Sequence, residues 1–384
     1  MTSDSPRSQR WSGVDIDSDA IIQNVKSLVG LCSPSDVWAV VKANGYGHGA
    51  VVTSRAALAG GAAGLAVALV QEAVELRAAG IDSRILVLSD QPDEQYGDLL
   101  DANAEIMVYR PESVDALEEV ASRLGTVARV HLKVDTGMRR VGAEPSAVNA
   151  LIEKVANTPH VELVGVATHF ATADMPGHPA ITEQTSQFES VRTLVGAEVE
   201  IHMANSAAAI TLPATRQSFV RAGIAMYGID PSPEVSLDRS VFTAALKWWS
   251  KVSFVKEVDE GAHVSYGWRY ATSANTRLAT VPLGYADGVP RRWSEVGGEV
   301  IIGGRRRPVV GVVTMDQLIV DVGPTDVSDP VNIGDEVVLI GTQGAEHITA
   351  EEWAERLGTI GYEIVCQIGE RVPRRVVGLF AEPS

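Results

Sequence analysis

Short apolar, mostly β-branched runs recur along the first part of this chain, at Val37–Val41, Gly64–Ala68, Ile85–Leu88, Ala104–Val108, Ala128–Val134, Leu163–Ala167, Val199–Met203 and Ser218–Arg221. Between them lie stretches such as Val70–Ala79, Pro111–Ser122 and Thr182–Val195, whose apolar residues fall at helical spacing. Strand–helix alternation of this kind implies a parallel sheet. Eight units in about 220 residues fit one closed (β/α)8 TIM-type barrel. An open, doubly wound sheet would share most of these signals. The barrel is expected to span residues 12–236.

The pattern changes after Pro231-Ser232-Pro233. Strand-like runs follow at Lys251–Val258, Thr276–Val281, Glu299–Ile302, Pro308–Val313, Leu318–Val322 and Glu336–Ile340, separated by glycine turns. Only Thr349–Leu357 reads as a helix, with Thr349 as N-cap and Glu352 at the capping-box position. A second, mainly β domain is therefore expected over 237–384, with residues 1–11 a candidate addition to it. The length of 384 residues is ample for two domains.

Charge narrows the choice of partner. A net charge of -17 argues against nucleic acid and against an anionic membrane surface. A small anionic ligand remains open, since it needs only local positive charge. Hydrophobic residues at 45% fit an ordinary soluble protein. No apolar run reaches membrane-spanning length, and the N-terminus lacks a basic start followed by an apolar stretch. The two cysteines, Cys32 and Cys366, fit reduced thiols in a cytoplasm better than a disulfide framework. No metal-ligand motif stands out.

Lys42 is the first candidate for chemistry. It ends the run Val37–Val41 and is followed by Ala43-Asn44-Gly45-Tyr46-Gly47-His48-Gly49. A lysine at the carboxyl end of a barrel strand stands where such folds build their sites. Held in a partly dry pocket it can lose its proton and act as a nucleophile towards a carbonyl. Gly45, Gly47 and Gly49 do not have the G-x-G-x-x-G spacing of a dinucleotide site. Taken alone, a solvated lysine at a strand end would explain the feature as well.

Two further clusters follow strands seven and eight, where barrels place phosphate sites. They are His202-Met203-Ala204-Asn205-Ser206 and Arg221-Ala222-Gly223-Ile224. Ser206 offers a hydroxyl, and Gly223 and Ile224 offer backbone N–H groups. Asn205-Ser206 could equally be a helix cap and Arg221 a surface charge. Lys133 and Asp135 alternate with apolar neighbours and point to one face, expected to be the barrel interior, with Arg139 and Arg140 close behind. His169 ends another strand.

The segment around Lys42 resembles the cofactor-lysine motif of the alanine racemases, and the resemblance extends along nearly the whole chain. It implies pyridoxal 5'-phosphate as cofactor, held by Lys42 as a Schiff base. Tyr46, Asn205, Ser206, Gly223, Ile224 and Tyr362 would surround the phosphate side. Arg221 would bond the cofactor's ring nitrogen, with His169 beside the ring. A guanidinium donates hydrogen bonds and keeps its proton, so that nitrogen would stay unprotonated and the ring would be a weaker electron sink. Arg140 and the backbone of Met315 would meet the substrate carboxylate. Lys133 matches a position that becomes carbamylated.

In the second domain, Val264-Ser265-Tyr266-Gly267-Trp268 matches the family's second acid/base, Tyr266, reaching a neighbouring subunit. A homodimer with shared sites is implied, interconverting L- and D-alanine through Lys42 and Tyr266 and supplying D-alanine for peptidoglycan. Tyr285-Ala286-Asp287-Gly288 resembles a segment at the substrate's access route. The sequence departs from the family at Thr314, where many members carry cysteine, and at Arg139, commonly a smaller residue. Serine or broader-specificity racemases, a non-catalytic pyridoxal-phosphate-binding protein and a related decarboxylase are the competing readings. The second domain and the Tyr266 motif weigh against the last two.

Overall fold

The computed structural model describes residues 10–324 and 330–381. The chain divides into two compact units, one formed by 18–243 and the other by 1–17 together with 244–384. The expectation for residues 1–9 lies outside the described residues.

The first unit is an eight-stranded parallel sheet. Its strands are β1 (Asp36–Val40), β2 (Gly64–Val67), β3 (Arg84–Val87), β4 (Glu105–Val108), β5 (Ala128–Lys133), β6 (Val161–Ala167), β7 (Glu200–His202) and β8 (Phe219–Ala222). Neighbours pair in sequence order from β1 to β7, and β8 pairs with β1. The ring closes because Ser218 N donates to Ile201 O at 2.9 Å and Arg221 N to Ala204 O at 2.9 Å. β2, β4 and β8 are buried along their whole length. That is why they do not alternate apolar with polar, and why the charges they carry, Glu105 and Arg221, are buried.

The helices between them carry ordinary signals. Pro111–Leu124 starts on a proline, whose missing N–H costs nothing there, and stops at Gly125 with φ 66°. Inside the barrel, Trp38 stacks on Phe219 at 4.6 Å and packs with Leu86, Met107 and Ala167. Gly165 marks the tightest point: a Cβ there would lie 2.0 Å from Nδ1 of His131. The β5–β6 register shifts at that histidine.

The second unit is a sheet ordered 254–258, 276–281, 318–323, 305–310, 299–302, 336–343, 246–251, 12–17 and 374–377. Its core stacks Trp293 on Trp353 at 4.0 Å, with Trp248 tilted against Trp353 at 5.6 Å. Two differences from the sequence reading arise here. The strand Ser12–Asp17, assigned to the barrel from sequence, pairs with Leu246–Lys251 and Arg374–Val377 instead. Its partners stand at the far end of the chain, so nothing local reports the pairing. A second helix, Gly361–Cys366, follows Ala350–Leu357. Thr349 caps the latter, accepting from Glu352 N at 3.0 Å, while the carboxylate of Glu352 takes Arg306 and Arg356.

Candidate active site

Lys42 is half-buried and follows β1 at the barrel's carboxyl end. The turn that holds it is left-handed at Ala43 (φ 52°), Asn44 (φ 51°), Gly45 (φ 62°) and Tyr46 (φ 54°). Three of those four residues carry a Cβ, and each costs of order 1–3 kcal/mol in that conformation. Local bonds offset the strain. Glu72 accepts from Ala43 N at 2.6 Å, and Asn44 Oδ1 accepts from Ala50 N at 2.8 Å. Glu72 escaped the sequence reading. Its only sequence signal is its place in the first turn of helix Val70–Ala78, where it also takes Ala68 N and Leu69 N.

His48 is wholly buried and stacks near Tyr227 at 4.4 Å, and Tyr227 donates to Val40 O at 3.2 Å. This histidine supports the turn. Tyr46 lies 5.1 Å from the Tyr227 ring, and its Oη would sit 2.6 Å from a Cβ on Gly223. Only glycine permits that approach.

Ser206 Oγ accepts from Gly223 N at 2.8 Å and from Ala225 N at 3.4 Å. With both lone pairs engaged, its hydroxyl hydrogen remains to be donated. The Gly223 N–H is thus committed to Ser206. Asn205 caps helix Ser206–Thr211, accepting from Ala208 N at 3.0 Å.

Arg221 is buried, and its acceptors are all neutral: Thr168 O at 2.8 Å, His202 O at 3.1 Å, Met203 O at 3.2 Å, and Nδ1 of both His202 (2.7 Å) and His169 (3.3 Å). Burial pulls its pKa down to about 10. Lys133, at the end of β5, is buried as well. Burial first, then the charges of Arg221 and Arg140, push its ammonium well below the usual lysine value, against the pull of Asp135. Asp135 itself accepts from Gly137 N and Arg139 N, holding a turn. Arg140 and His169 line a small cavity with Lys133 and Asp135. Burial, then Lys133, Arg221, Arg140 and Lys42, depress His169 well below an ordinary histidine. Lys42, Lys133, Arg140 and Arg221 therefore share one neighbourhood.

The amine of Lys42, the guanidinium groups of Arg140 and Arg221, the second lysine Lys133 and the hydroxyls of Tyr46 and Ser206 fit a cofactor carrying a carbonyl and a phosphate. The donor set matches pyridoxal 5'-phosphate in kind.

Tyr266, Met315 and Tyr362 belong to the other unit. Tyr266 stands on a tight turn, 71% exposed, between Ser265 (φ 63°) and Trp268 (φ 52°). Ser265 Oγ donates to Val312 O at 2.6 Å, and Trp268 stacks on His263 at 4.8 Å. Met315 is 52% exposed. Its loop is fastened to 284–287 by Tyr285 N to Thr314 O and Ala286 N to Met315 O, both 3.0 Å. Thr314 Oγ1 donates to Gln317 O at 2.9 Å and accepts from Gln317 N at 3.2 Å, closing its own turn. Tyr362 lies in the first turn of helix Gly361–Cys366.

Comparison with known proteins bears on both units. The family pattern for the alanine racemase N-terminal domain matches residues 16–231, and that for the C-terminal domain matches 245–376. An alanine racemase of Symbiobacterium thermophilum is 46% identical over 368 residues, covering 95% of this chain and 96% of the relative. The crystal structure of alanine racemase from Streptomyces lavendulae superposes with a TM-score of 0.91 at 38% identity, covering 97% and 98% of the two chains. A histidine racemase of Leuconostoc mesenteroides also matches, with a TM-score of 0.89 at 28% identity over 97% and 99%.

Proposed function

This chain belongs to the alanine racemase family and is an amino-acid racemase, and we propose that it interconverts L- and D-alanine with pyridoxal 5'-phosphate as cofactor. The observation that carries the reading is the gathering of Lys42, Lys133, Arg140 and Arg221 about His169. When bound, the cofactor supplies an electron sink that makes the α-proton of the substrate removable.

The chain's own groups do the rest. Lys42 Nζ takes and returns the α-proton on the face that serves D-alanine; Tyr266 Oη does so on the face that serves L-alanine. Arg140 and the Met315 backbone hold the substrate carboxylate. Tyr46, Ser206, Ile224 and Tyr362 would hold the phosphate. Gly223 acts by its missing Cβ, and Asn205 by fixing the helix that carries Ser206. Arg221 would meet the cofactor ring as a donor, with His169 beside it.

The exposure of Tyr266 supports a homodimer in which the tyrosine of one copy serves the barrel of the other. Burial and the nearby arginines push the Lys133 ammonium towards its neutral amine, the form that adds carbon dioxide. Its nitrogen bonds to the carbon, a proton leaves, and the carbamate anion pairs with Arg140. D-alanine made in the cytoplasm would feed peptidoglycan. Among the described residues, no helix is long and apolar enough to cross a membrane.

Purified protein should be yellow, and borohydride should fix the cofactor on the peptide containing Lys42; label on another lysine would overturn the reading. A steady-state assay against single enantiomers decides breadth. Alanine should lead. The likeness to a histidine racemase makes histidine and serine the informative alternatives.

A further inference from the structure

Behind Arg221 a line of buried polar side chains runs into the barrel. Arg221 Nη1 lies 2.7 Å from His202 Nδ1, His202 Nε2 lies 3.0 Å from His131 Nδ1, and His131 Nε2 lies 2.9 Å from Glu105 Oε2. Arg84 closes the far end, donating to both oxygens of Glu105 at 2.8 and 2.9 Å. Glu105, His131 and His202 are each at most 1% exposed. Glu105, His131 and Glu200 also bring ligand atoms within 4.8 Å of one another, as a metal site would. Arg84, however, donates to both carboxylates, at 2.7 and 2.8 Å on Glu200, and occupies the place of a cation.

The proton positions follow from the arginine end. A guanidinium has no acceptor, so His202 must accept at Nδ1. Burial and the Arg221 cation keep His202 well below an ordinary histidine, hence neutral. Its one proton then sits on Nε2 and is donated to His131. His131 accepts at Nδ1 and must carry its own proton on Nε2, towards Glu105. Burial raises Glu105, but the hydrogen bonds from His131 and Arg84 outweigh it and bring the carboxyl down to about 2. Every bond in the line therefore points the same way, from Arg221 to a permanent anion.

We propose that Glu105, His131 and His202 are positioning residues that give Arg221 a remote counter-ion through two neutral imidazoles, and so keep its proton from passing to whatever it faces on the cofactor. Chains of aligned hydrogen bonds polarise one another in a dry interior. Here the polarisation pushes electron density towards the guanidinium and makes it a weaker acid. The effect matters because burial alone has brought Arg221 closer to losing a proton. A proton passed to the ring would strengthen the electron sink and divert turnovers to keto acid. The proposal rests on the cofactor reading for that last consequence, but not for the bond directions.

Two measurements on the full-length holoenzyme test it. Nitrogen-15 correlation spectra should show His131 and His202 neutral, protonated at Nε2 and bare at Nδ1. A proton on Nδ1 of either, or an imidazolium, would overturn the directional line. Pyruvate released from L-alanine, counted per racemisation turnover, should rise about tenfold in Glu105→Gln, the size of a one-unit change in acidity at Arg221. Glu200→Gln removes a carboxylate from the same arginine but lies off the line, so it should leave that ratio unchanged. An equal rise in both variants, or none in a folded Glu105→Gln, sinks the proposal. Should Glu105→Gln not fold, the tautomer spectra decide alone. Failure of the cofactor reading would show separately, as absent cofactor absorbance with the tautomers intact.

Discussion

The barrel and the β unit each present a candidate catalytic group beside left-handed backbone, at residues 43–46 next to Lys42 and at Ser265 next to Tyr266, yet they treat those groups oppositely. Around Lys42 the barrel buries charge: Lys133 is 7% and Arg221 4% exposed, and protonation is set by burial and neighbours. The β unit displays its rings, with Tyr266 and Trp268 about 70% open on one tight turn. Groups whose acidity must be tuned need a dry, crowded setting. A group meant to meet another surface needs a rigid turn and an open face. In the proposed reading, one half of the chemistry is built within a chain, and the other half is offered outward.

The comparison breaks most sharply at the two proposed proton carriers. Lys42→Ala should abolish racemisation and the yellow colour together, read by turnover and absorbance. Tyr266→Phe should keep fold and colour while losing about a hundred- to ten-thousandfold in rate, with α-proton exchange surviving better for D- than for L-alanine. Mixing these two inactive variants should restore activity, since one of the two sites in a mixed dimer regains both groups; no recovery would place both residues in one chain's site.

Smaller effects sharpen the contrast. Gly223→Ala drives a methyl against Tyr46 Oη and should weaken cofactor binding about tenfold, measured by titrating the cofactor-free protein. Acid should find the barrel's buried charge first. Glu105 is depressed from 4.5 to about 2, so its contribution is full above 4.5 and is lost as pH falls towards 2. Of order 3 kcal/mol is at stake, and Glu105→Gln should flatten stability against pH in that window. Least is expected in the β unit, where Thr314→Ala removes two turn bonds worth about 0.5–1.5 kcal/mol each and should shift KM more than kcat.

The eight barrel strands were legible because burial on both faces forces continuous apolar runs. Lys42, Arg221 and Ser206 were legible because the barrel places ligand sites after known strands. What sequence hid was non-local or conformational. The Gly223 N–H read as a ligand group, whereas it is bonded to Ser206 Oγ, and Asn205 takes the helix-cap alternative, accepting from Ala208 N. Ala43 and Asn44 have no residue type that announces a left-handed turn. Glu72 holds that turn from the next helix but one. Glu105 and His131 stand among apolar neighbours on separate strands, and only the pairing of those strands brings them into one line. Ser12–Asp17 escaped because its partners are more than two hundred residues away.

That first strand has a consequence for synthesis. It lies between Leu246–Lys251 and Arg374–Val377, with Asp17 N bonded to Ala245 O at 2.8 Å. The barrel is thus an insertion into a sheet that contains Ser12–Asp17 before it and Arg374–Val377 after it. At a translation rate of about 5–20 residues per second, the opening strand waits roughly 20 to 70 seconds on the ribosome for its parallel neighbour. The barrel holds all its own strands by then. The nascent chain accordingly carries a finished insert inside an unfinished host, and its first strand is an unpaired edge for the length of that wait.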